Sequence, residues 1–428
     1  MINFKTIKYF FKSNLGVGIV GVVISIIGLV LFFNRFNIVS KRVEVTSSPT
    51  LSAWMSNSAG VLNPSPSSIP SLTPSPGTAS FDNNINFKGK FAYTKYINDS
   101  TYFVWNYNNS NKTTAKLDGK DFFQSVSSND LSSVLRVYYD DAIKKYNVLV
   151  FHNGDIDKPF ISFSTEKSVI NPIFSYEGTK IAYALVNYAE SGKNELWTVD
   201  YNDSQTIMVL DSNRINSLLD GNNIALDAKR FREVEPISWS RDGDRIYLKI
   251  SVQGTFESLV YYDLSSKKMV KTSIDNKNTF ELIPSPDHGK IAYLVDVSNA
   301  EKVKYSLNIL NLSNNKTNQL IDSDQAIGGQ WLLWSASSDK IAFLEFHDQK
   351  YDIAYIDINT RKIQNTVKGL DSSPDLYAWT KNNKIVYSQY LDTTLPNQTL
   401  NIINLDGTGK KELDSSWGSL NVFGFVEE

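Results

Sequence analysis

The sequence contains no cysteine and only three histidines among its 428 residues. Without cysteine, the chain can form no disulfide, no thiol nucleophile and no cysteine-based zinc or iron–sulfur site. The histidines are His152, His288 and His347, and their wide separation excludes the i, i+4 histidine pair of a helical zinc site. We therefore predict no metal site and no cofactor.

A strong charge of either sign is also absent. The formal net charge is −2 and the sequence pI is about 6.0. Proteins that bind nucleic acids usually show a basic domain or a basic stripe, so we predict no nucleic-acid partner. Aromatic residues, by contrast, reach 12% of the chain. Their flat, bulky side chains pack well on a pleated surface, which favours an all-β fold.

One long apolar run lies near the N-terminus. Residues 15–33 read LGVGIVGVVISIIGLVLFF without a charge, a length that spans the hydrocarbon layer of a bilayer as a helix. The run predicts a transmembrane helix preceded by a short cytoplasmic tail at 1–14. A cleaved signal peptide is the alternative, but the run is long for one and no A-x-A-like cleavage site follows it.

Residues 34–84 are rich in serine, proline and threonine, most clearly in NPSPSSIPSLTPSP at 63–76. Proline removes backbone donors and the segment lacks apolar periodicity, so we predict a disordered tether with polyproline II character. Basic residues on the two sides of the apolar run nearly balance. The downstream composition favours export, which predicts a single-pass cell-membrane protein with its N-terminus in the cytoplasm and the rest extracytoplasmic.

Two sequence elements recur from residue 85 to the end of the chain. The first is a basic residue followed by an apolar–small–aromatic strand, and the second ends a strand with Asp or Asn, an apolar residue and a small polar one. Copies of the first element begin at Lys90, Lys180, Arg245, Lys290, Lys340 and Lys384, with a weaker copy at 134–138. Copies of the second begin at Asn106, Asp200, Asp263, Asn311, Asp357 and Asn404.

The spacing of the copies indicates the architecture. Between Ile246 and Ile385 the successive intervals are 45, 50 and 44 residues, a length that four short strands and three turns fill. Residues 85–428 are therefore predicted to form a β-propeller of about seven blades, with six or eight as alternatives. A longer interval places an insertion at about 212–235. The strand at 421–425 is expected to complete the first blade, because it would otherwise begin an unfinished one.

An aromatic slot and a turn precede most copies of the first element, as in Trp239-Ser-Arg-Asp-Gly-Asp-Arg-Ile246 and in Ser285-Pro-Asp-His-Gly-Lys-Ile-Ala-Tyr293. These segments resemble the WD-like repeats of the TolB-type propeller family, with Arg241 in place of proline and His288 as an insertion. The resemblance covers about residues 85–428. It implies non-enzymatic protein binding at the cell envelope, although the same repeat also caps some peptidases and forms some polysaccharide lyases.

No catalytic set is apparent, since the chain lacks a G-x-S-x-G elbow. We interpret the three histidines as structural or solvated, the basic residue of each copy as a strand start and not part of an anion-binding ring, and the aromatic slots as inter-blade core. Three acidic pairs read as turn residues, because none has the ligand spacing of a calcium loop. They are Asp155/Asp157, Asp242/Asp244 and Asp322/Asp324.

The sequence thus predicts a membrane-tethered interaction or scaffold propeller that binds protein partners and performs no catalysis. The alternative is a propeller enzyme, a lyase or hydrolase acting on polysaccharide at the axial funnel. That alternative requires convergent ionisable groups with shifted pKa values in one pocket, for example around His152 or His347.

Overall fold

The computed structural model describes residues 89–97, 100–106, 112–116, 122–188, 193–201, 205–221, 232–252, 255–274, 278–299, 304–321, 332–390, 397–418 and 420–427. These residues form 28 strands and one helix, α1 (Ser212–Gly221). The predicted transmembrane helix at 15–33 and the predicted linker at 34–84 lie outside them. Among the described residues, no helix has the length and apolar character needed to span a bilayer.

The strands form seven four-stranded antiparallel sheets, the blades of a β-propeller. The first blade contains C-terminal β28 (Leu420–Glu427), β1 (Gly89–Ile97), β2 (Ser100–Asn106) and β3 (Lys112–Lys116). The second contains β4 (Phe122–Ser127), β5 (Ser133–Asp140), β6 (Lys145–His152) and β7 (Ile161–Thr165). The third contains β8 (Ser168–Phe174), β9 (Lys180–Asn187), β10 (Lys193–Asp200) and β11 (Gln205–Leu210).

The remaining four blades follow in chain order. The fourth contains β12 (Arg232–Trp239), β13 (Arg245–Val252), β14 (Thr255–Asp263) and β15 (Lys268–Lys271). The fifth contains β16 (Thr279–Pro284), β17 (Lys290–Asp296), β18 (Tyr305–Asn311) and β19 (Lys316–Gln319). The sixth contains β20 (Leu333–Trp334), β21 (Lys340–His347), β22 (Lys350–Asp357) and β23 (Ile363–Leu370). The seventh contains β24 (Asp375–Trp379), β25 (Lys384–Tyr390), β26 (Asn397–Asn404) and β27 (Lys411–Trp417).

The seven-bladed propeller is therefore confirmed. Its ring closes where β28 pairs antiparallel with β1, with Phe425 opposite Phe91. Trp239 stands opposite Ile246 and Trp379 opposite Ile385 in the same way, so Phe425 occupies the aromatic slot that the sequence assigned to it. The pairing covers the inner edge of β1, which would otherwise be free to join another strand.

In the third to seventh blades, the first residues of the two recurring elements are cross-strand partners. Lys180 lies opposite Asp200, and Arg245 lies opposite Asp263, with the Arg245 Nε 3.5 Å from an Asp263 oxygen. In the second blade, Ser133 and His152 take these two positions and their Oγ and Nδ1 atoms lie 2.8 Å apart. This substitution explains why the copy at 134–138 is weak, and it gives His152 a structural role.

A serine fixes the turn between the first and second strands of a blade. The Oγ of Ser240 accepts a hydrogen bond of 2.9 Å from the backbone N–H of Arg245, five residues on, and donates to the Asp242 carboxylate. Ser128, Ser175, Ser285 and Ser335 accept the same bond, at 2.9 to 3.0 Å. The turn residues of the repeat thus satisfy backbone donors that the strand ladder leaves unpaired.

The aromatic slots lie in the core between blades, as predicted. Trp239 is fully buried, and its indole N–H donates to the carbonyl of Ile173 in the preceding blade at 3.4 Å. Trp334 donates in the same way to Ile283, at 2.9 Å. A buried indole needs such a partner, because an unpaired N–H in an apolar core is costly.

Helix α1 forms the first part of the predicted insertion. Asp211 caps it by accepting a 2.7 Å hydrogen bond from the N–H of Arg214. Its Ile215 and Leu219 are buried among core side chains of the third and fourth blades. The insertion is shorter than the predicted 212–235, because residues 232–235 belong to β12; residues 222–231 lie outside the described part of the chain.

Candidate interaction face of the propeller

The antiparallel order of the strands gives the propeller two faces. We call lower the face that holds the turns from first to second and from third to fourth strand of each blade. The upper face holds the loops from second to third strand and the connections between blades. Because Gly89 pairs with Glu427 at the lower end of the first blade, the described chain both enters and leaves the propeller on the lower face.

Acidic residues of the lower face accept hydrogen bonds within the turns. Hydrogen bonds from Ser240 hold the pKa of Asp242 below its usual value, and the amide of Thr360 does the same for the pKa of Asp357. Asp155 likewise accepts hydrogen bonds from the two amides at 157 and 158, at 3.2 and 3.1 Å. The turn interpretation of the pairs at 155/157 and 242/244 is thus confirmed, and the pair at 322/324 lies outside the described residues.

The upper face holds carboxyl groups whose pKa is raised instead of lowered. The first of them lies on β12. Burial and the neighbouring Glu235 raise the pKa of Glu233 above its usual value. Glu235 binds the Lys249 ammonium group at 3.0 Å, and the Tyr188 hydroxyl donates to Glu233 at 3.2 Å. The Lys249 charge also lowers the pKa of Glu233, but by less than burial and Glu235 together raise it.

A second such carboxyl lies at the start of β24. Burial raises the pKa of Asp375, which accepts hydrogen bonds of 3.3 Å from the hydroxyls of Tyr377 and Ser388. The Tyr377 hydroxyl also approaches the carbonyl of Leu420 on the closing strand, at 2.6 Å. Glu233 and Asp375 therefore both lie near the upper ends of first strands, in the fourth and the seventh blade.

Exposed aromatic side chains accompany these acids. Tyr188, Phe346 and Tyr390 are 52%, 47% and 40% exposed, and each lies at the upper end of the second strand of its blade. The lower face exposes two comparable apolar side chains, Phe160 and Ile363. Aromatic side chains next to polar groups are typical of the centres of protein interfaces.

The structure does not bring the three histidines together. His152 ends β6 on the lower face, whereas His347 ends β21 on the upper face, where its Nε2 lies 3.1 Å from an Asp352 oxygen. That contact raises the pKa of His347. His288 lies in a lower-face turn with its Nδ1 2.9 Å from the Trp239 carbonyl, and burial lowers its pKa.

The enzyme alternative named a pocket around His152 or His347 in the axial funnel, and neither histidine lies on the strands that surround the axis. Neither His152 nor His347 stands on a first strand, since they end the third strand of the second blade and the second strand of the sixth. Within the described ranges, no three His, Asp or Glu side chains are grouped as a metal site would need.

Glu233, Glu235 and Asp375 were not singled out from the sequence. Residues 233 and 235 fall in the stretch assigned to the insertion, and Asp375 precedes an aromatic slot without any recurring motif. One sequence signal could have identified them: each is an acidic residue in the inner strand of a blade, whose two sides both pack against other residues. Recognising it required the inner strand of each blade to be located first.

No protein-family model matches the chain, and no curated protein sequence matches it. Among solved structures, prolyl oligopeptidase B from Galerina marginata is similar, with a TM-score of 0.53 and 9% identity over 78% of this chain and 52% of that one. The β-propeller domain of the Trilobed protease from Pyrococcus furiosus has a TM-score of 0.50 and 12% identity over 76% of this chain and 96% of that one. That domain is described as having an open velcro topology, whereas in this chain the pairing of β28 with β1 closes the ring.

TolB from Acinetobacter baumannii is also similar, with a TM-score of 0.43 and 16% identity over 78% of this chain and 81% of that one. TolB structures are thus among the neighbours of this propeller. At such identities the similarities concern the fold alone. The chain spans about half of the oligopeptidase, whose activity is not attributed to it.

Proposed function

We propose that this chain is a membrane-tethered, extracytoplasmic propeller that binds protein partners through its upper face and performs no catalysis. The observation that carries the proposal is the difference between the two faces. Polar groups of the lower face are bonded within their own turns, whereas the upper face combines exposed aromatic side chains with partly buried carboxyl groups. Such a surface suits a partner that supplies apolar and basic groups.

The start of β1 indicates where the proposed tether would join the propeller. Gly89, the first described residue, lies on the lower face. The proposed linker at 34–84 and membrane helix at 15–33 would therefore join the propeller opposite the upper face. A tether attached there leaves the upper loops accessible to a partner, in keeping with the tendency of binding residues to lie on loops of a rigid scaffold.

The test replaces Tyr188, Phe346 and Tyr390 together by serine in the full-length chain, followed by crosslinking in native membranes and mass spectrometry. We expect partners recovered with the unaltered chain to fall at least about tenfold, since removing interface aromatics costs 1.4 kcal/mol or more. The matched control replaces Phe160 and Ile363 by serine, which removes the exposed apolar groups of the lower face instead. Equal recovery from both variants would contradict the proposal, as would recovery of the unaltered chain from the soluble fraction.

The second candidate is a polysaccharide lyase or hydrolase. The observation in its favour is the pair of carboxyl groups with raised pKa values on inner strands, Glu233 and Asp375. Cleavage of a polysaccharide panel by the unaltered chain, abolished by Glu233→Gln or Asp375→Asn, would replace the interaction proposal. Intact polysaccharides together with face-specific loss of partners would support the interaction proposal.

A further inference from the structure

The fourth strand of each blade is an exposed sheet edge, and most of these edges are protected by charge. An unpaired edge can join the edge of another molecule, and lysine side chains on the strand oppose that pairing. Five of the seven fourth strands contain lysine: β3, β15, β19, β23 and β27. A sixth, β7, is uncharged, but its exposed side chains are Ser162 and Ser164.

Strand β11 departs from this pattern. It reads QTIMVL, without a charge, and three consecutive side chains, Thr206, Ile207 and Met208, are exposed. Ile207 is 51% and Met208 44% exposed. One side of β11 pairs with β10, and among the described residues no strand pairs with the other side. An uncharged strand of β-branched and apolar residues at a free edge is the type that adds a further strand.

We propose that β11 pairs antiparallel with β11 of a second copy of this chain, forming a two-fold symmetric dimer. The third blades of the two copies then make one continuous sheet, with four strands from each. Ile207 and Met208 become partly covered by their counterparts, and the free backbone groups of both edges are paired.

The charge pattern selects a second copy as the occupant. In an isologous antiparallel pair, a segment lies opposite itself, so a strand with lysine at both ends, such as β3 or β15, places like charges opposite one another. Strands β3 and β15 would meet this repulsion, and the uncharged β11 would not. Its apolar side chains also face identical apolar side chains, which requires no complementary surface from a different protein.

The absence of cysteine allows a direct test. Single variants Thr206→Cys, Ile207→Cys and Met208→Cys of the full-length chain are treated in intact cells with a short membrane-permeant bis-maleimide. We expect a covalent homodimer on a denaturing gel from at least one of them. The control is Asn318→Cys on β19, which is also an exposed edge position and should give no dimer. Equal yields from β11 and β19 would overturn the proposal.

A charge substitution then tests the geometry of the contact. In the cysteine variant that crosslinks best among positions 206 to 208, lysine is introduced at the other two of these positions. The crosslink should fall about tenfold, as expected when opposed like charges cost ~1.4 kcal/mol in all. The matched control introduces Thr317→Lys and Gln319→Lys on β19 and should leave the yield unchanged. An undiminished dimer, or a β11 crosslink only to a different protein, would overturn the proposal.

Discussion

At the scale of single residues, the same side-chain type has opposite properties in a turn and on an inner strand. Asp242 is exposed and Asp357 is partly exposed, and both are held ionised by hydrogen bonds from their own turns. Asp375 has hydroxyl partners as well, yet burial dominates and raises its pKa. A turn supplies several donors to one carboxylate, whereas a strand supplies few and removes water.

Asp375 gives a prediction for the pH dependence of stability. Its pKa in the folded chain lies above the unfolded value of about 4, so the folded state holds the proton longer. Stability is therefore lost as the pH rises from about 4 through the folded pKa. Asp375→Asn should remove this loss and be more stable than the unaltered chain at pH 8, measured by urea unfolding.

The asparagine oxygen can still accept hydrogen bonds from Tyr377 and Ser388, so the comparison isolates ionisation. At pH 4 the two proteins should unfold at similar urea concentrations. Asp141→Asn, on an exposed hairpin of the second blade, is the control and should follow the unaltered chain at both values. A difference in stability between Asp375→Asn and the unaltered chain that stays constant from pH 4 to pH 8 would contradict the raised pKa of Asp375.

At the scale of elements, each blade is an antiparallel meander. The sequence specifies its turns more strongly than its strands. The serine of the first turn satisfies an amide five residues away in five blades. In the seventh blade Thr380 makes the corresponding bond to Lys384, only four residues on, at 3.2 Å. This shorter turn explains why Trp379 precedes its isoleucine by six residues instead of seven.

Replacing a turn serine should destabilise the whole propeller. In Ser240→Ala, the Arg245 amide loses its acceptor and Asp242 loses its donor in a site where Ser240 is only 8% exposed. We expect a loss of about 1–3 kcal/mol, the cost of an unsatisfied buried donor. Urea denaturation followed by tryptophan fluorescence measures it. Ser217→Ala, on the exposed side of α1, should change stability by less than ~0.5 kcal/mol; equal shifts would show that the turn bond is dispensable.

At the scale of the whole molecule, ring closure decides stability. The pairing of β28 with β1 joins residues more than 320 positions apart in the chain, as in Phe91 with Phe425. Side chains of both neighbouring blades reinforce it, since Ser127 donates to the Phe423 carbonyl at 2.7 Å and Tyr377 to that of Leu420. Lys95 and Asp414 add an ion pair of 2.8 Å between the first and last blades.

Removing residues 419–428 should open the ring. The truncated chain loses the inner strand of its first blade and exposes the edge of β1. Because the ring holds all blades in contact, we expect a loss that is a large part of the ~5–15 kcal/mol typical of a folded domain, together with aggregation. Circular dichroism during heating measures both effects. Removing Glu428 alone, which lies beyond β28, is the control, and an unchanged melting curve of the longer truncation would contradict the role of closure.

The sequence by itself predicted about seven blades, and it determined the turn residues, the aromatic core positions and the closing strand. These properties recur in each unit and follow from local chemistry: a turn needs particular residues, and a slot in the core needs an aromatic side chain. The tertiary structure alone revealed the difference between the faces, because the burial of Glu233 and Asp375 depends on neighbouring blades distant in sequence. It also revealed the exposed edge of β11, since only packing shows that Ile207 and Met208 remain uncovered.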